Sequence, residues 1–246
     1  MYHLHATLAT SRRIIQQLSH DKRTIALMFL APTLLMVLLW WVFSSNTKLF
    51  NAIAPALLGV FPFVIMFLIT SITTLRERTG GTLERLMATR VGRFDIILGY
   101  ALAFSVFGIV QSLITTAVAV YILDMNVAGP LWFVVVISVL DTILGVALGL
   151  LASAFAKTEF QAVQFMPAFI FPQLIVCGLF VPLAQLPDVL HSIAYWLPLT
   201  YAVDALNGVV VNDTISSDMW RDTWAVVGFI IIALVLASLT LRRRSS

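Results

Sequence analysis

Six stretches of the chain are continuously apolar, at about 25–43, 52–75, 97–123, 131–155, 162–182 and 222–241. Each is close to the ~20 residues an α-helix needs to cross ~30 Å of hydrocarbon. Backbone N–H and C=O groups in lipid must be satisfied within their own segment, so these stretches predict six transmembrane helices. Period-two alternation is absent from them, which argues against a membrane β-barrel. The pattern therefore predicts an all-α integral membrane protein, a single six-span domain over 1–246.

Charge falls between the spans and gives them a direction. Of fifteen lysines and arginines, all but Lys48 and Arg221 fall on one side of the predicted membrane. They cluster in the N-terminal segment, in the loop between spans two and three, at Lys157, and in the tail at Arg242, Arg243 and Arg244. Basic loops stay in the cytoplasm, so both termini are expected there. The six tryptophans, at 40, 41, 132, 196, 220 and 224, are expected near the opposite boundary. The first apolar run starts near Ile25, is too long for a signal-peptide core and lacks a small-x-small cleavage site, so it is expected to be retained.

Three connecting regions carry further order. Leu4, Leu8, Ile15 and Leu18, with Ser11 completing the spacing, make one stripe of an N-terminal helix over 3–23, with Arg12 and Arg13 off it. This predicts an amphipathic helix on the membrane surface. The loop after span two reads TLRERTGGTLERLMATRVGR, seven of its residues charged. Gly80 and Gly81 are expected to break the span's helix, Thr82 to cap a short helix over 83–88, and Asp95 to cap the third span. Leu83, Leu86 and Met87 share one face of that short helix while Glu84 and Arg85 point elsewhere, which suits docking to a partner. Between spans five and six, short apolar patterns follow Pro187-Asp188 and Pro198, the second with Thr200 as a candidate cap. Both are too short to cross and are expected to be re-entrant or interfacial.

Composition agrees with the pattern and narrows the chemistry. The chain is 60% hydrophobic and 11% charged, with a mean hydropathy of +0.98, where soluble domains run about 45–50% apolar. One cysteine, Cys177, excludes an internal disulfide and a cysteine-based metal cluster. None of Lys22, Lys48 and Lys157 follows a glycine, so there is no P-loop, and neither HExxH nor GxSxG occurs. The chain is therefore not expected to be an enzyme or to bind a cofactor or metal, and nothing points to nucleic acid. Asp141 is the one carboxylate in the interior of a predicted span; its charge costs ~2.5–3.5 kcal/mol in a bilayer and should face the helix bundle. It heads a stripe of small residues, Gly145, Gly149 and Ser153, which permits close packing. Gln111 lies at similar depth and is the expected hydrogen-bond partner of Asp141, with a proton or cation site as the alternative.

Three stretches resemble the membrane subunits of type-2 ABC exporters, the family of many bacterial drug-export and polysaccharide-export permeases. They are Arg76 to Leu86, similar to the family's RE…GTLE-L pattern; Phe29-Leu30-Ala31-Pro32, opening the first span after a basic helix; and Leu197-Pro198-Leu199-Thr200-Tyr201-Ala202-Val203-Asp204-Ala205-Leu206 before the last span. The resemblance covers essentially the whole chain. It implies a bacterial inner or plasma-membrane permease that pairs with a second permease, identical or related. Two copies of a separate ATPase, which would hold ATP and Mg, would drive alternating access. It makes Arg76, Glu77, Arg78, Gly80, Gly81, Thr82, Leu83, Glu84, Arg85, Leu86 and Met87 the ATPase-coupling element, with Arg12, Arg13, Ile15 and Leu18 on the surface helix. The expected cargo is a hydrophobic or amphiphilic drug, lipid or peptide moving out of the cytoplasm.

Prolines in matched spans point to a transport path. Span two holds Pro55 and Pro62, and span five Pro167 and Pro172. Beside them, Phe61, Phe63, Phe67, Phe165, Phe169 and Phe171 are the candidate path residues. A secondary transporter driven by an ion gradient, with Asp141 as coupling site, is the alternative.

Overall fold

A computed structural model describes residues 2–81 and 91–240, without the side chain of Tyr2. The described residues are helical and loop, with no strand. The helices are α1 (Tyr2–His20), α2 (Lys22–Val42), α3 (Thr47–Thr79), α4 (Arg93–Tyr121), α5 (Leu131–Phe155), α6 (Glu159–Phe165), α7 (Phe171–Val176), α8 (Asp188–Ala194), α9 (Pro198–Val211) and α10 (Ser217–Thr240). Five of them, α2, α3, α4, α5 and α10, are long and apolar enough to cross a membrane.

The fifth predicted span takes a different form. Instead of one helix over 162–182, α6 passes through a π-helical turn, Met166–Ile170, into α7, which ends at Val176. Pro167 lies within this turn and Pro172 just after it, and neither supplies an N–H for the i→i−4 ladder, so a wider turn re-forms the helix there. Gly178, with φ of +94°, then turns the chain where a side chain would be strained. Pro55 and Pro62 have no such effect, since α3 runs unbroken through both. The two spans expected to match thus differ: one is continuous and one is interrupted.

α3 packs most extensively against α5. The small-residue stripe is the reason. A methyl group on Gly145 would collide with the carbonyl oxygen of Phe63, and one on Gly149 would lie 2.6 Å from that of Phe67. Gly59 meets Asp141, Phe63 meets Gly145 and Phe67 meets Gly149, so both helices advance in the same direction in steps of four. That is the polarity expected of spans two and four.

α9 lies inside the bundle. Pro198, Leu199, Ala202, Val203, Leu206 and Val209 are buried against α3, α5 and α10. Its C-terminal carbonyls are met by the α4–α5 loop, where the Ala128 and Gly129 N–H groups donate to Val210 and Val209, each at 3.0 Å. Its N-terminus lies deep: Tyr201 stacks near Phe229, about twelve residues or ~18 Å along α10. α9, of fourteen residues, is thus packed among the long helices, while α8 exposes Val189 and Ile193.

Candidate functional site

The foot of α3 gathers the structure. Three consecutive residues, Arg76, Glu77 and Arg78, reach three different parts of the molecule, because successive helix positions point about 100° apart. Arg76 grips Glu159, the first residue of α6, with two parallel hydrogen bonds of 2.7 and 2.8 Å. These bonds from Arg76 hold the Glu159 carboxyl below the usual carboxylate range. Glu77 is only 6% exposed and accepts from Arg13 of α1 at 3.0 Å and from the Tyr100 hydroxyl of α4 at 2.9 Å. Arg13 also donates to the Tyr100 oxygen, at 3.0 Å, and closes the triangle. Arg78 donates to the carbonyl of Ser153, near the end of α5. α3 ends at Gly80, and Gly81 follows with φ of +74°. Thr82, Leu83, Glu84, Arg85, Leu86, Met87 and the rest of residues 82–90 lie outside the described residues.

One face of α1 packs on the bundle, and it includes Ser11 and Leu18 of the predicted stripe. Thr7, Thr10, Ser11, Ile14 and Leu18 are buried, while Leu4 and Leu8 are exposed. Thr10 packs so closely on Gly99 of α4 that a methyl group there would lie 2.7 Å from the Thr10 Cβ. Small hydroxyl side chains make this approach possible, and a hydropathy stripe scores them as polar. Of the predicted residues, Arg13 and Leu18 face the bundle, Arg12 faces out, and Ile15 lies between. Asp95 acts at the third position of α4, not at its cap. Its carboxylate accepts the Gly92 N–H at 3.1 Å and lies 2.7 Å from the His3 ring, which moors the start of α1. α1 ends where Asp21 caps α2, accepting from the Thr24 N–H and hydroxyl at 3.1 and 2.6 Å.

The candidate path residues divide. Phe63 and Phe67 are buried in the α3–α5 core, Phe61 and Phe165 are half-buried, and Phe169 and Phe171 are exposed. Phe67, Phe165 and Phe169 line one apolar cavity of about 490 Å³ with the C-terminal end of α5. Leu197 and Pro198 close it at the start of α9.

Gln173, which the sequence reading missed, stands at that closure. Its amide donates to the Phe169 carbonyl at 2.9 Å and its oxygen accepts the Leu199 N–H at 3.2 Å. It thus caps α9 from another helix. Thr200, the expected cap, is buried within α9, and its hydroxyl has no partner among the described residues. The available signal was a lone glutamine beside Pro172 in an apolar run.

Asp141 is 0% exposed, as a carboxylate facing the bundle should be. The expected bond to Gln111 is not made: among the described residues neither the Asp141 oxygens nor the Gln111 amide has a partner. The helix phase explains this. Thr142, not Asp141, meets α4 at Gly108, and Asp141 faces Gly59 of α3, where Val203 and Leu206 of α9 also pack. No group of three or more His, Cys, Asp or Glu suited to a metal occurs among the described residues.

Residues 5–211 match the family model described as ABC-2 type transporter. The chain is 27% identical over 203 residues to ABC transporter G family member 20 of Dictyostelium discoideum, covering 82% of this chain and 28% of that protein. It is 25% identical over 193 residues to the probable multidrug ABC transporter permease YbhS of Escherichia coli strain K12, covering 78% and 51%. It is 29% identical over 169 residues to the linearmycin resistance permease protein LnrN of Bacillus subtilis, covering 68% and 42%. The chain thus spans about half the length of these bacterial relatives, and less of the first. With its apolar helices and a match across most of its length, the chain is a multi-pass membrane protein of the ABC-2 type transporter family.

Proposed function

We propose that this chain is the permease subunit of an ATP-driven exporter. A separate ATPase pair would engage it from the cytoplasm, and a second permease, identical or related, would complete the path. Hydrophobic or amphiphilic molecules would leave the cytoplasm by alternating access. The bacterial relatives named as multidrug or antibiotic-resistance permeases favour that cargo class.

One observation carries the coupling part of this reading. The residues just before the glycine pair fasten α3 to α1, α4, α5 and α6 at one end of the bundle. A push delivered to residues 82–90 reaches Gly80 first and is then shared among these helices. The charge asymmetry of the chain supports a cytoplasmic location for this end and for both termini. The gradient-driven alternative needs Asp141 to exchange a coupling ion, and its apolar neighbours Val203 and Leu206 give it no support.

The test is ATP hydrolysis and transport by the chain purified with its ATPase, comparing wild type with Glu84→Arg plus Leu86→Asp. Dissociation or uncoupling in the double variant supports the reading. Absence of any co-purifying ATPase, with transport intact in the variant, contradicts it.

A further inference from the structure

We propose that the cavity between α5 and α6 holds one acyl chain of a membrane phospholipid, with the lipid's phosphate at Lys157. The cavity wall is apolar: Leu148, Ala152 and Phe155 from α5 face Phe165 and Phe169 across the gap, and Gln173 stands at its far end. Gln173 spends its amide on Phe169 and Leu199, so it offers an occupant little beyond contact. Phe155 and Phe169, each 58% exposed, leave the cavity open at its side. In a multi-pass membrane protein such an opening meets lipid tails, because the backbone around it is helical and its side chains are hydrocarbon.

Along α5 the lining from Leu148 to Phe155 covers seven residues of helix, or ~10 Å, and Leu197 and Pro198 add to it. An apolar lining that follows a helix over this length suits an acyl chain. Charge supplies the other half of the argument. Lys157 follows α5 by two residues, is exposed, and forms no ion pair among the described residues. It lies two residues beyond Phe155, which lines the cavity, and in a membrane protein long basic side chains reach for the level of the lipid phosphates. The nearby Arg76 is committed to Glu159. A phospholipid therefore satisfies both features at once: its tail fills the apolar volume and its phosphate meets the unpaired ammonium.

The test needs no ATPase and reads out separately from the coupling proposal. The full chain is reconstituted in phosphatidylcholine vesicles carrying phosphatidylglycerol with a diazirine on one acyl chain. A parallel set carries the same label on diacylglycerol, which lacks a phosphate. After illumination, adducts are mapped by peptide mass. Both probes are expected to label residues 148–155 and 165–170 several-fold above the exposed leucine face of α2, which serves as bulk-lipid reference. Ala152→Trp, which fills the cavity, is expected to remove that excess; Leu148→Phe is the milder second variant should the first fail to fold. Lys157→Glu, a surface change, is expected to lower phosphatidylglycerol labelling several-fold and leave diacylglycerol labelling unchanged. Labelling no higher than at α2, or cross-links to a second copy of the chain in place of lipid, would overturn the proposal. Equal labelling by phosphatidylglycerol in wild type and Lys157→Glu would overturn the phosphate contact.

Discussion

At the scale of single residues, Glu77 does the most. It sits within a charged loop motif, yet it is buried and satisfied by Arg13 and Tyr100. Removing one member of such a cluster strands the others. Glu77→Ala leaves the Tyr100 hydroxyl without its acceptor and the Arg13 guanidinium with Tyr100 alone, and a loss of ~1–3 kcal/mol is expected. Thermal unfolding of the purified variant checks this. Arg13→Ala combined with Glu77→Ala is expected to cost clearly less than the sum of the two single changes, because the three groups act as a unit. Gly145 is limiting in another way. Its neighbour is the Phe63 backbone carbonyl, which cannot swing aside like a side chain. Gly145→Ala is therefore expected to cost ~1–3 kcal/mol by prising α3 from α5, where Gly228→Ala, with open space around it, is expected to cost nothing measurable in the same melting experiment. Asp141→Asn keeps shape and burial and breaks no bond to a described neighbour. Assembly and transport near wild type are expected; loss of transport in a well-assembled variant would restore Asp141 as a functional site.

At the scale of elements, how much was legible depended on what each helix packs against. α2, α4, α5 and α10 follow the apolar runs closely, since hydropathy marks the part of a helix that lies in lipid. α3 extends past its predicted limits at both ends, because a helix need not stop where the membrane does; Arg76, Glu77 and Arg78 are still helical. The bundle-facing side of α1 was not marked by the apolar stripe alone, because Thr7, Thr10 and Ser11 pack by being small, and an apolar stripe does not count them. The interruption of α6 and α7 was visible as prolines but not distinguishable from the prolines that α3 absorbs; the difference lies in tertiary support. α9 was legible as a short apolar helix after Pro198. What holds it, the cap from Gln173, joins residues far apart in sequence. Gln173→Leu is expected to leave the Leu199 N–H buried and unmet and to cost ~1–3 kcal/mol. Hydrogen exchange is expected to show faster opening of the first turn of α9, with α5 unaffected.

At the scale of the whole molecule, the bundle has two unlike ends. One end is tied by backbone bonds between the α4–α5 loop and α9 and by the stacking of Phe133 with Trp132 and Trp220. The other is tied by ions: Arg13 with Glu77, Arg76 with Glu159, and the His3 contact to Asp95. Ionic ties at a wet surface contribute little net stability, but they set direction and register. The Arg76–Glu159 tie is complete at neutral pH. The lowered pKa of Glu159 means it weakens only as the pH falls through that pKa, below the ordinary carboxylate range. Such ties suit a region that transmits movement, since they hold the helices together without fusing them into one core. The most direct measurement is a charge reversal across this tie, reading transport per ATP hydrolysed in vesicles that hold the chain with the proposed ATPase. Arg76→Glu and Glu159→Arg alone are each expected to lower that ratio several-fold with the complex intact, and the two together to restore most of it. Single variants that transport like wild type, or a pair that fails to recover, would contradict the account of how this end of the bundle is coupled.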